Sequence, residues 1–168
     1  MNYPRLETER LYLRELTLDD APAAQVHFSD PEMTEFMDID PCTDLESARE
    51  IIAYHLHDTG VRWGIFDRQT DALIGTCGFH CWDATRAQAE IGYNSSCAHW
   101  GRGLMREALE AALAFGFGTM ALSEVCAISD RANPRSMRLL EHLGFEFRPD
   151  LPDPEDLSGL VYILCRPG

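Results

Sequence analysis

Residues 87–118, AQAEIGYNSSCAHWGRGLMREALEAALAFGFG, decide how this chain is read. Ala87, Ala89, Ile91 and Tyr93 alternate with polar neighbours, the period-two pattern of a strand with one buried face. From about residue 102 to 117 the run is apolar and helix-forming. Between the two lies Gly101-Arg102-Gly103, a tight turn directly ahead of the helix. The first amides of a helix have no intrahelical acceptor, and glycine lets an anion come close to them. The turn can therefore cradle a phosphate, or it can simply reverse the chain.

The flanking segments supply the rest of a fold. RLYLREL at 10–16 alternates as a first strand, and Thr17 or Asp19 is placed to cap a helix through Phe28. Pro31 and Pro41 break the chain around a short helix and loop containing Phe36 and Met37. Thr43-Asp44-Leu45-Glu46 has the form of a capping box, followed by a helical stripe of Leu45, Ala48, Ile52 and Leu56. VRWGIFDR at 61–68 and ALIGTCGFHCW at 72–82 read as a hairpin. SEVCAISD at 123–130 is another strand, and a helix opens at Asn133-Pro134 and closes at Gly144. FEFRPD at 145–150 is a short strand, PDLPDPED at 149–156 a polar loop, and GLVYILCR at 159–166 a last strand.

The order β–α–α–β–β–β–α–β–α–β–β predicts one mixed α/β (α+β) domain over 1–168 with a mainly antiparallel sheet. The passage from 87 to 130 is a crossover, which makes the fourth and fifth predicted strands parallel neighbours. Strand ends and a helix start meet there, so a ligand is expected at that point.

Composition narrows the class. With 45% hydrophobic and 25% charged residues over 168 positions, the chain has the make-up of a globular domain with a substantial core. No apolar run approaches the roughly 20 residues that span a bilayer. The first residues lack an apolar signal core, so a cytoplasmic setting is expected. A net charge of −14 disfavours a general nucleic-acid surface and suits a cationic substrate such as an amine. All 14 basic residues are Arg, which excludes Lys-based Schiff-base chemistry. Six cysteines include no CxxC pair; Cys77 and Cys81 share a strand face, and His55 and His57 have no partner at a metal spacing. No metal is expected.

Two familiar phosphate motifs fail. A P-loop ends in Gly-Lys-Ser/Thr, and the chain has no Lys; the dinucleotide fingerprint needs glycine where Arg106 stands. Yet Arg102 and Arg106 lie at one helix start and Arg131, Arg135 and Arg138 at the next, as an anionic cofactor would need.

Four segments then carry a resemblance: LETERLYLREL at 6–16, AEIGYNSSCAHWGRGLMREAL at 89–109, ISDRANPRSMRLLEHLGFE at 128–146 and GLVYILCR at 159–166. The sequence resembles the GNAT superfamily of acetyl-coenzyme A-dependent N-acetyltransferases, in its Rim-type branch that acetylates ribosomal-protein N-termini. The resemblance covers essentially the whole chain. It implies a strongly twisted mixed sheet with helices on both faces, whose fourth and fifth strands splay apart to admit the pantetheine arm of acetyl-CoA. It implies that Trp100, Gly101, Arg102, Gly103, Leu104 and Met105 seat the pyrophosphate. Asn94, Ser95 and Ser96 would pair with pantetheine, an amide near Ser95 would polarise the thioester, and Asn133 would contact the cofactor. Trp100 and Met105 depart from the general pattern of the loop, although Trp100 is common in the Rim-type branch.

The same resemblance assigns Glu90, in E-I-G-Y, as general base toward the amine. The structural alternative pairs Glu90 with Arg14 or Arg62. Many members carry a Tyr in the last helix that protonates the leaving thiolate; Leu140 stands there, and Ser136, one turn earlier, is the substitute acid. Cys97 is a bystander, because direct transfer needs no covalent intermediate. The acceptor is expected near Phe36, Met37, Trp63 and Phe79 to Trp82, with Asp38, Asp40 and Asp83 drawing a cationic amine. It could be a protein N-terminal amine or a small amine, and the resemblance allows a homodimer. The competing reading is a CoA-binding scaffold or regulatory domain without chemistry, which the missing Tyr permits.

Overall fold

The computed structural model describes residues 4–37, 39–57, 60–153 and 159–168. Among the described residues, eight strands and five α-helices follow in the order β1 Leu6–Glu7, β2 Leu11–Arg14, α1 Ala21–Phe28, α2 Pro31–Thr34, α3 Leu45–His57, β3 Val61–Asp67, β4 Leu73–Asp83, β5 Gln88–Ser95, α4 Leu104–Gly118, β6 Glu124–Asp130, α5 Pro134–His142, β7 Glu146–Pro152 and β8 Gly159–Cys165. The strands form one mixed sheet in the order β1-β2-β3-β4-β5-β6-β8-β7. β5 and β6 are the fourth and fifth strands expected from the sequence, and they are parallel as the crossover requires. Their ladder runs from Gln88 opposite Glu124 to Glu90 opposite Cys126, while β5 itself continues to Ser95. Among the described residues, no helix is long and apolar enough to cross a membrane.

Local differences from the expected elements have physical causes. The predicted strand at 10–16 is confined to Leu11–Arg14, and the chain before it folds back as β1, pairing Leu6 with Leu13. Asp44, not Thr43, caps α3: its carboxylate accepts from the Ser47 amide at 2.8 Å and the Ser47 hydroxyl at 2.7 Å. A carboxylate is the stronger acceptor for the orphan amides at a helix start. β7 reaches Pro152, beyond the predicted end at 150, because an irregular register lets Pro152 lie opposite Leu160.

The chain resolves into two compact units. One comprises the residues up to Gly78 with Tyr93–Ala112, and the other Phe79–Gly92 with Leu113–Gly168. In the first, α1 packs on α3, and Tyr12, Leu16, Phe28, Met33, Ile52 and Phe66 form a buried cluster. In the second, the β6–β8–β7 ladder carries α5, and Phe79, Leu122, Val125, Leu140 and Tyr162 are buried. The α4 stripe of Leu104, Ala108, Leu109, Ala112 and Leu113 is buried, as its helical spacing dictates.

Candidate active site

The glycine turn is built as a helix-start cradle. Gly101 and Gly103 have φ of 71° and 73°, in the left-handed region where a side chain is strained. A Cβ at Gly101 would meet nothing within 4 Å, so its glycine is required by conformation and leaves open space above the backbone. The Glu107 amide donates to the Gly103 carbonyl at 3.1 Å, which starts the helical ladder. The amides of Leu104, Met105 and Arg106 therefore lack intrahelical acceptors, the arrangement that binds a phosphate. Arg102 is exposed beside this turn, with its guanidinium 3.3 Å from His99 Nδ1. Arg106 is committed instead to Glu110, at 2.8 Å along the helix. Leu104 is buried in the core, so what it offers a ligand is its amide.

Arg10 and Glu107, which sequence patterns did not single out, hold the turn in place. Arg10 Nη1 donates to the Arg102 carbonyl at 2.9 Å, and Arg10 Nε to Glu107 Oε2 at 2.7 Å. Glu107 Oε1 also accepts from the Thr8 hydroxyl at 2.6 Å and the Arg10 amide at 2.8 Å. Burial alone would raise the Glu107 carboxyl, but these hydrogen bonds and the Arg10 charge outweigh it and hold the group below its usual value.

The end of β5 is fixed by a second network. His27 is buried, with Nε2 2.7 Å from Asn94 Oδ1 and Nδ1 2.8 Å from the Ser96 hydroxyl. Asn94 Oδ1 also accepts from the Thr76 amide at 3.2 Å, and Asn94 Nδ2 donates to the Thr76 hydroxyl at 2.9 Å. Asn94 Oδ1 can only accept, which makes His27 Nε2 the donor; with the ring neutral, Nδ1 accepts from the Ser96 hydroxyl. Burial pushes the imidazole below its ordinary pKa, against the raising effect of the Asn94 bond. The Asn94 and Ser96 side chains are thus engaged within the protein. The Ser95 carbonyl accepts from Trp100 Nε1 at 3.0 Å, and the Ser96 amide donates to the Ile74 carbonyl at 2.9 Å.

In the first unit, Arg14 binds Asp20 at 2.7 Å and Arg62 reaches the Thr76 hydroxyl at 3.3 Å; Glu90 belongs to the second. Its carboxylate lies 3.1 Å from His80 Nε2. Glu90 lines a pocket of about 300 Å³ with Cys81, Asp83, Arg86, Gln88, Ala89, Glu124 and Cys126. Three carboxylates against one guanidinium, itself 3.6 Å from Asp83, make the pocket anionic. Burial and the neighbouring Glu90 and Glu124 charges push the Cys126 thiol up to about 12, so it is a neutral wall.

Asn133 caps α5, its side chain accepting from the Ser136 amide at 3.1 Å, with Pro134 at the first turn as its sequence implies. Gly144, at φ 87°, follows the helix end. Ser136 is half-buried, and Leu140 is wholly buried in the position expected for Tyr. Trp63 and Phe79 are also fully buried, and the Trp63 indole donates to the Pro4 carbonyl at 3.0 Å. They are core, which corrects their expected place in an acceptor pocket. Asp83 lines the pocket described above, Asp40 is exposed, and Asp38 lies outside the described residues.

Residues 10–146 match the family model described as the acetyltransferase (GNAT) domain. The chain belongs to the GNAT acetyltransferase family. It is 38% identical over 158 residues to p20 of Bacillus licheniformis, an uncharacterized N-acetyltransferase, covering 92% of this chain and 89% of that one. An acetyltransferase structure from Agrobacterium tumefaciens superposes with a TM-score of 0.81 at 26% identity, covering 99% of this chain and 96% of its own. The ribosomal-protein-S5-alanine acetyltransferase of Vibrio fischeri shares the fold at a TM-score of 0.78 and 17% identity, over 97% of each chain. The chain is therefore a GNAT acetyltransferase, and acetyl-CoA is the donor that its family implies. The open glycine turn, its orphan amides and Arg102 fit the donor's pyrophosphate.

Proposed function

We propose that this GNAT acetyltransferase moves an acetyl group directly from acetyl-CoA to a primary amine, either a protein N-terminal α-amine or a small cationic amine. The observation that carries the reading is Glu90, a carboxylate in an anionic pocket with His80 at 3.1 Å. Asp83 and Glu124 raise the local concentration of a protonated amine by attraction. Glu90 accepts the proton that the amine must lose, directly or through one water, and His80 orients the carboxylate. When bound, acetyl-CoA supplies an activated acetyl thioester.

Trp100, Gly101, Arg102, Gly103, Leu104 and Met105 hold the pyrophosphate in this reading, chiefly through backbone amides. Asn94, Ser95 and Ser96 present main chain to pantetheine, and the His27 network keeps that stretch in one conformation. Asn133 adds a cofactor contact, and Ser136 donates a proton toward the leaving thiolate. Support for the Rim-type branch comes from Trp100 and from the shared fold with a ribosomal-protein acetyltransferase. A cytoplasmic setting goes with this reading, and six cysteines without a disulfide among them suit it.

The test is thiol release from acetyl-CoA over a panel of ribosomal-protein N-terminal peptides, polyamines and aminoglycosides, alongside calorimetric titration of CoA. The expected result is turnover on at least one cationic amine. CoA binding with no turnover on any acceptor would replace the enzyme reading with the scaffold one.

A further inference from the structure

Three donor groups, two of them sequence neighbours on β4 and the third on β5, meet in the second unit. His80, Cys81 and Glu90 each present one ligand atom, and these atoms all lie within 4.8 Å of one another. Successive side chains of a regular strand point to opposite faces, which would separate His80 from Cys81. Cys81 instead has φ of 50°, which breaks the alternation near the end of β4 and lets both neighbours serve one locus. Glu90, on β5, closes the set with its carboxylate 3.1 Å from His80 Nε2.

We propose that His80, Cys81 and Glu90 form a binding site for a borderline-soft divalent cation of the zinc type. An imidazole, a thiolate and a carboxylate together match that class, whereas magnesium and calcium select oxygen donors alone. Ligands around a tetrahedral ion with bonds of about 2.0–2.3 Å lie about 3.3–3.8 Å apart, so side-chain adjustments of about an ångström bring the three donors to that geometry. Cys81 is exposed and His80 about one-third exposed, giving the ion a route from solvent. The pocket of about 300 Å³ beside Cys81 and Glu90 has room for water in a fourth position. Asp83 and Glu124 on its wall add attraction for a cation. The site is of the open kind, with three protein ligands. Coordination of one Glu90 oxygen draws charge from the carboxylate, so a bound ion makes Glu90 a weaker proton acceptor.

The test is titration of the reduced, chelator-treated full chain with Co²⁺, followed by displacement with Zn²⁺. One equivalent is expected to give tetrahedral d–d bands and a thiolate-to-cobalt charge-transfer band, both lost on adding Zn²⁺. Cys81→Ser should abolish the charge-transfer band, and His80→Ala should weaken Zn²⁺ binding by about tenfold or more, since even outer-sphere partners of a metal are worth that much. Cys97→Ser, outside the cluster, should leave the spectrum unchanged. Far-UV circular dichroism confirms that each variant folds, as expected for side chains this exposed. No charge-transfer band in the native chain, or a band that persists in Cys81→Ser, would overturn the site. Neither measurement involves acetyl-CoA or an amine, so its outcome is separate from that of the transfer assay.

Discussion

The glycine turn and the Glu90 pocket are built on opposite plans. At the turn the side chains that shape the backbone are tied down: Glu107 accepts three hydrogen bonds, and Arg10 clasps both Glu107 and the Arg102 carbonyl. The pocket carries carboxylates and two cysteines, with the His80 imidazole against Glu90. One region presents fixed main chain, suited to a donor of constant shape. The other presents titratable side chains whose partners can be exchanged. Under the proposed function, this difference makes donor recognition a property of the backbone and acceptor chemistry a property of side chains.

Substitutions should therefore separate the two. The largest effect is expected for Glu90→Gln, which should lower kcat by about 100-fold or more while leaving CoA affinity intact, the range for loss of a general base. Steady-state kinetics with calorimetry reads both, and a drop of only a few-fold would remove Glu90 from the chemistry. Glu107→Ala leaves the Thr8 and Arg10 donors without their carboxylate, at a cost of about 3 kcal/mol. That corresponds to a fall in Tm of roughly 10 °C for a domain of this size, readable by thermal melting. Glu107→Gln, which keeps an acceptor, should fall less.

Gly103→Ala should do the reverse of Glu90→Gln. It forces a Cβ into φ 73°, a strain of about 1–2 kcal/mol, and should weaken CoA binding by about tenfold with kcat at saturation little changed. Equal CoA affinity in the variant would mean that the turn is not the donor's seat. The smallest effect concerns His27. Its folded pKa lies below the unfolded value of 6.5, so the folded state favours the neutral ring. The associated stability is complete above the unfolded pKa and is lost as pH falls through the lowered folded value. Tm should thus decline on acidification below about pH 6.5, and His27→Gln should flatten that decline.

What the sequence made legible follows from how local each signal is. Alternation and caps act within a few residues, so β3, β4, β5, α4 and the Asn133–Gly144 helix were all readable. The glycine turn was readable for the same reason, because its two positive-φ glycines are adjacent to the helix they serve. The Glu90–His80 contact, the His27 bonds to Asn94 and Ser96, and the Arg10 clasp on Glu107 join distant segments. No period or spacing encodes such pairings, so the sequence offers Arg14 or Arg62 as a structural partner for Glu90 and is silent on His80. Trp63 and Phe79 were misplaced for a related reason. An aromatic in a strand reads alike whether its face meets core or ligand, and only packing decides.

Arg10 gives the turn a kinetic character as well as a shape. A glycine pair left to itself samples many conformations, and a ligand would have to capture the few that fit. Tethering the Arg102 carbonyl to Arg10 narrows that ensemble before any donor arrives. The conformational entropy is surrendered during folding, and association carries little ordering cost. Donor capture should then proceed in a single diffusive step, with no slow isomerisation preceding it, and Arg10→Ala should introduce one.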